Sequence, residues 1–131
     1  MSYFSTKTYG HNIGLSACFR QPNAHSHCKF LHGYSLAFKF TFGCRELDER
    51  NWVVDFGGLK PLKAWLEDTF DHKVVLDEQD PHLIDFHMLA EKGLAELTIL
   101  DGILKYFLTP AVLLRLDLRE VLGRYVFCLL P

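Results

Sequence analysis

Leu36, Phe38, Phe40 and Phe42 are apolar, and Ala37, Lys39 and Thr41 alternate with them. A period of two is the pattern of a strand with one face on a core. Earlier in the chain, Tyr3 to Phe19 mixes β-branched and aromatic residues with Gly10 and Gly14, and this composition predicts a strand. The polar stretch Gln21 to Lys29 lies between the two, as a loop on a rigid support where chemistry is commonly carried.

The period then changes. Asn51 to Phe56 is a short apolar run that ends in Gly57-Gly58, after which Leu59, Leu62, Leu66 and Phe70 recur at helical spacing. Asp55 stands where it can cap that helix or hold the turn leading into it, and Pro61 fits a first turn. A second helix is predicted from Pro81 to about Lys92, with Leu83, Phe86, Leu89 and Ala90 on one face and Gly93 closing it. Strands followed by helices predict an α+β domain, two helices packed on one face of an antiparallel sheet.

The last third reads less directly. Leu97 to Leu100 has strand character and Asp101-Gly102 that of a turn. From Val112 to Leu118 the even positions are apolar, as in a strand, while Leu114, Leu118, Val121, Leu122 and Tyr125 fit a helix equally well. The helical reading is preferred for Leu118 to Phe127.

Composition narrows the class. With 131 residues, 49% of them hydrophobic, the sequence predicts one domain over residues 1–131 with a single core. A formal net charge of -2, with both signs interspersed, gives no basis for a nucleic-acid or anionic-membrane partner. The opening residues lack the charged and apolar regions of a signal peptide, and no apolar run is long enough to span a bilayer, so a cytoplasmic protein is expected. Cys18, Cys28, Cys44 and Cys128 form no CxxC pair and are expected as thiols.

The chemistry-bearing residues concentrate between His25 and Tyr34, where His25, His27, Cys28, Lys29 and His32 fall close together. Cys28 between His27 and Lys29 sits in an electropositive setting and is a candidate base or nucleophile. The alternative is a surface loop with incidental histidines. A second pair, Asp71-His72, closes the first predicted helix. A carboxylate beside an imidazole makes a proton-transfer unit, or equally a helix terminus with a histidine on its dipole.

Cys28-x-x-x-His32-Gly33, then Trp52-Val53-Val54-Asp55-Phe56, Leu59-Lys60 and Phe70-Asp71-His72 together resemble the pterin synthase family that includes 6-pyruvoyltetrahydropterin synthase and bacterial 6-carboxytetrahydropterin synthase. The resemblance implies the tunnelling fold, with active sites between the subunits of a homo-oligomer, trimer or hexamer. It implies Cys28 as general base, Asp71 and His72 as its proton relay, and His32 as a ligand of Zn2+. In the family the metal holds the side-chain oxygens of the dihydropterin as a Lewis acid. The implied substrate is 7,8-dihydroneopterin triphosphate, which loses triphosphate and acetaldehyde to leave 6-carboxytetrahydropterin, on the way to 7-deazaguanine and queuosine.

This chain departs from the family pattern at the metal. Where the family has His-Gly-His it has His32-Gly33-Tyr34, and the region of the first ligand reads Ser16-Ala17-Cys18-Phe19, without histidine. A catalytic zinc takes three protein ligands and keeps one position open. Cys18, with His27 or His25 from the loop, would be the replacements, against a reading in which Cys18 is a small buried residue and the histidines are solvated. Toward the end of the chain Glu120, in Arg119-Glu120-Val121-Leu122, matches an acidic residue of the family and is the candidate substrate-binding residue. The two strands that follow in the family are expected to be divergent or missing. Two functions remain open: a zinc-dependent lyase of the 6-carboxytetrahydropterin synthase type, and a catalytically impaired protein of the same fold serving as a pterin- or purine-binding or oligomerising subunit.

Overall fold

The computed structural model describes residues 2–100 and, as backbone, the two later strands at 112–116 and 126–130. The elements run β1 (Tyr3–Tyr9), β2 (Leu15–Phe19), β3 (His32–Leu36), β4 (Phe38–Cys44), α1 (Lys60–Phe70), β5 (Lys73–Asp77), α2 (Leu83–Glu91), β6 (Leu97–Leu100), β7 (Val112–Leu116) and β8 (Val126–Leu130). The stretch expected as one strand, Tyr3 to Phe19, is two. Gly14, at φ 74°, closes a short 3-10 turn over His11–Ile13 and donates its N–H to His11 O at 3.0 Å, which breaks the extended chain.

The α+β expectation holds, with a richer sheet arrangement. Instead of one antiparallel sheet there are two four-stranded sheets, ordered β1-β4-β8-β7 and β3-β2-β5-β6. The second is mixed: β5 runs parallel to β2, and β6 parallel to β5. Parallel neighbours need a crossover between them, which the α2 segment supplies from β5 to β6.

The core follows the periodicities. Phe38, Phe40 and Phe42 of β4 are buried on one face, and Leu62, Leu66 and Phe70 supply the buried stripe of α1, with Leu59 buried just ahead of it. Phe38 packs on Phe70 with ring centroids 5.1 Å apart, joining strand to helix. Pro61 sits in the first turn of α1, as expected. Asp55 accepts the Gly57 N–H at 2.9 Å and so caps the 3-10 turn Phe56–Leu59 from which α1 continues. In α2 only Phe86 is buried, while Leu89 is exposed, so the apolar face expected there is narrower than the sequence implied. Gly93, at φ 72°, ends it with its N–H on Ala90 O at 2.9 Å.

Two expectations about the end of the chain are corrected. The later strands are not missing: β8 pairs antiparallel with β4, Phe40 opposite Cys128, and β7 pairs with β8. Val126 and Phe127, expected in a helix, belong to strand β8, because an apolar run that fits both periods is decided by the edge of β4 available to pair with it. Residues 118–125, the rest of that expected helix, lie outside the described residues.

Candidate functional site

The β2–β3 pair organises the first group of residues. Its antiparallel register sets Phe19 opposite His32, Cys18 opposite Gly33 and Ala17 opposite Tyr34. Directly opposed residues share a face and successive residues alternate, so Phe19, His32, Ala17 and Tyr34 lie on one side and Cys18 on the other. Leu15, Ala17 and Phe19 are buried, which makes theirs the core side. The Phe19 ring packs at a tilt against both neighbours, with centroids 4.6 Å from His32 and 5.4 Å from Tyr34. His32 and Tyr34 meet edge to face at 5.3 Å.

The protonation of His32 follows from its contacts. Its Nδ1 lies 2.6 Å from the carbonyl oxygen of Phe30, and a carbonyl only accepts, so Nδ1 carries the proton. In the neutral ring Nε2 then carries the lone pair, and it is buried with no hydrogen-bond partner. A backbone carbonyl that fixes the tautomer is the usual support of a metal-binding imidazole.

Cys28 stands in a 3-10 turn over His27–Lys29. Ser26 caps that turn, its Oγ accepting the Cys28 N–H at 3.3 Å, and the Cys28 carbonyl accepts the Gln21 N–H at 2.9 Å. These bonds anchor the polar loop to the residues just beyond β2. Cys28 is half-buried, whereas His25 and His27 are exposed. The Lys29 ammonium lies over the Phe30 ring, 5.2 Å from its centroid.

Asp71 and His72 lie at the other end of β2. Asp71 Oδ1 accepts the Ser16 N–H at 3.0 Å and stands 3.0 Å from His72 Nδ1. These donors, the Ser16 N–H first and the His72 ring second, hold the Asp71 carboxyl below the usual carboxylate range. The same contact puts the His72 ring proton on Nδ1 and leaves Nε2 free on a side chain that is 82% exposed. His72 adopts φ 57°, and its N–H bonds Ser16 O at 2.7 Å, so a turn that costs a non-glycine residue energy is fixed by the strand beside it.

The structure therefore builds two groups. His32 and Phe19 meet at the C-terminal end of β2, with the Cys28 loop beyond it; Asp71 and His72 meet Ser16 near its start. Ser16 and Phe19 are three residues apart, roughly 10 Å of strand. Cys18, expected as a replacement zinc ligand, is turned to the face opposite His32, and burial pushes its thiol pKa up. Among the described residues no group of three or more His, Cys, Asp or Glu side chains is gathered so as to hold a metal ion. His32 has the orphaned lone pair a zinc would use, but the two residues beside it on its face are Phe19 and Tyr34. This donor set does not fit Zn2+. Glu120 lies outside the described residues.

One feature escaped the sequence reading. Phe4 of β1, Trp52 and Phe56 line an open groove of about 490 Å³ together with Asn51 and Asp55. All three aromatic rings are substantially exposed, and the Arg50 guanidinium stacks 4.2 Å over Trp52. The run Asn51 to Phe56, read from the sequence as a short apolar run, carries two of these rings. The bonds of Asp48 Oδ1 to the N–H groups of Arg50 and Trp52 hold the turn that opens it.

A fold with these elements resembles the uncharacterized protein WS1659 from Wolinella succinogenes, at TM-score 0.56 and 22% identity, over 70% of this chain and 54% of that one. The sequence profile of the family described as 6-pyruvoyl tetrahydropterin synthase matches residues 10–103, and the chain belongs to that family. It is 37% identical over 57 residues to the 6-carboxy-5,6,7,8-tetrahydropterin synthase of Rickettsia bellii, covering 43% of this chain and 41% of the relative. To the protein of the same name from Aquifex aeolicus it is 32% identical over 79 residues, covering 60% of this chain and 49% of the relative. The chain thus matches less than half the length of these two curated relatives.

Proposed function

We propose that this pterin synthase family member is a lyase of the 6-carboxytetrahydropterin synthase type, acting on 7,8-dihydroneopterin triphosphate in 7-deazaguanine and queuosine biosynthesis. The observation that carries this reading is the Asp71–His72 pair. Asp71 holds Nδ1–H of His72 and leaves Nε2 facing solvent, the arrangement of a side chain ready to take a proton from a bound molecule and return it. Cys28, half-buried in the capped turn, is the base for the substrate side chain. Because the two groups lie at opposite ends of β2, a complete site is formed when Cys28 of one subunit meets His72 of another, in a homo-oligomer such as a trimer or hexamer. No step is assigned to zinc, which the residues around His32 do not fit. The protein is taken as cytoplasmic, with neither nucleic acid nor membrane as partner; among the described residues no helix is long and apolar enough to cross a bilayer.

A second reading, a catalytically impaired subunit that binds a pterin or purine or supports assembly, is favoured by the same Phe19 and Tyr34 rings beside His32. One experiment separates the two. Purified protein is incubated with 7,8-dihydroneopterin triphosphate while acetaldehyde and 6-carboxytetrahydropterin are measured. Turnover that falls about 10²–10⁴-fold in His72→Ala and in Cys28→Ala supports the lyase. Dihydropterin binding without turnover supports the second reading.

A further inference from the structure

We infer that the face of the β2–β3 pair where the family's zinc ligands are expected is, in this chain, an aromatic cluster that holds no metal. The inference rests on the family's ligand positions and not on the lyase activity. Three observations carry it. The β2–β3 register selects Phe19 from the stretch Ser16 to Phe19 as the residue directly opposite His32, and sets Tyr34 on the same face two residues along β3. The three rings then pack against one another, with mutual centroid distances of 4.6, 5.4 and 5.3 Å. Cys18, the nearest soft ligand in sequence, is carried to the other face by the alternation of the strand.

The state of His32 agrees with a packing role. Phe30 O fixes the Nδ1–H tautomer, and Nε2 lies buried without a partner beside Phe19 and Tyr34. Zinc takes thiolate, imidazole and carboxylate ligands in tetrahedral array. A single imidazole flanked by a phenyl ring and a phenol ring supplies one of them. The ring contacts tie the end of β2 to the start of β3.

The test is metal stoichiometry in the intact protein. Wild-type protein is freed of metal with a chelator, equilibrated with Zn2+ and with Co2+, desalted and analysed for bound metal, beside Phe19→His/Tyr34→His and His32→Ala. The wild type is expected to retain neither metal stoichiometrically. The double variant, checked for native circular dichroism, is expected to gain about one ion per chain and the absorption of tetrahedral Co2+. Stoichiometric zinc in the wild type, lost in His32→Ala, would overturn the inference. A folded double variant that still binds none would overturn the assignment of the two rings to ligand places. Turnover decides the lyase reading separately, since a metal-free wild type is compatible with either outcome there.

Discussion

Asp71 Oδ1 lies 3.0 Å from the backbone nitrogen of Ser16, so the residue that ends α1 is bound to the strand on which the aromatic cluster also stands. The bond joins residues 55 positions apart and aims His72 as well as anchoring it. The same oxygen makes both contacts.

The pH dependence of stability follows from the depressed Asp71 carboxyl. A group whose folded pKa is lowered contributes stability that is fully present above its unfolded value of about 3.9. That contribution is lost as pH falls through the lower folded value. Asp71→Asn is therefore expected to lower the urea midpoint at neutral pH, with the difference from wild type shrinking as pH drops below about 4. An equal difference at pH 7 and pH 3 would contradict the assignment.

Core substitutions test the strand–helix packing. Leu66 is fully buried in the stripe of α1, and Leu66→Ala is expected to cost about 2–5 kcal/mol in equilibrium unfolding, through lost burial and the cavity left behind. Ile84→Ala, on an exposed side chain of α2, is expected to stay within about 0.5 kcal/mol of wild type.

Arg20 Nε stands 2.9 Å from Asp80 Oδ2, with the carboxylate side chain fully buried, and pins the end of β2 to the turn that leads into α2. Asp80 also accepts the His82 N–H at 2.9 Å. Asp80→Ala leaves the arginine without its partner in a largely buried place and is expected to cost about 3–5 kcal/mol. The exposed pair Lys63–Glu67 on α1 provides the contrast: Lys63→Ala is expected to cost no more than about 0.5 kcal/mol. Denaturant titration of both variants is the measurement, and equal losses would show that burial does not set the difference.

The turn ahead of α1 depends on its cap. Asp55→Ala removes the acceptor of the Gly57 N–H and is expected to cost about 0.5–2 kcal/mol, whereas Asp55→Asn keeps a side-chain acceptor and recovers most of the loss. If Asn is as damaging as Ala, the ion pair from Asp55 to Arg50 at 3.2 Å matters more than the cap.

How much was legible differs from element to element. The spacing of Leu59, Leu62, Leu66 and Phe70 specified a helix and its buried face, and all four are buried; Phe38, Phe40 and Phe42 did the same for β4. Local periodicity carries this information because burial on one face is a property of a single segment. The apolar run Asn51 to Phe56 shows the converse: apolar content without a clear period does not say whether a segment is buried, and Trp52 and Phe56 are exposed.

The motif residues Cys28, His32, Asp71 and His72 were likewise legible, as members of an ordered set that points to the pterin synthase family. What the sequence by itself determined was therefore α1, β4 and the ordered set of residues that marks the family. Only the tertiary structure decided that β5 runs parallel to β2, that β8 is a strand against β4, and that Phe19 and not Cys18 shares a face with His32. Strand register is a relation between distant segments, and a shift of one residue exchanges the two faces, so no pattern within Ser16 to Phe19 could have chosen between them.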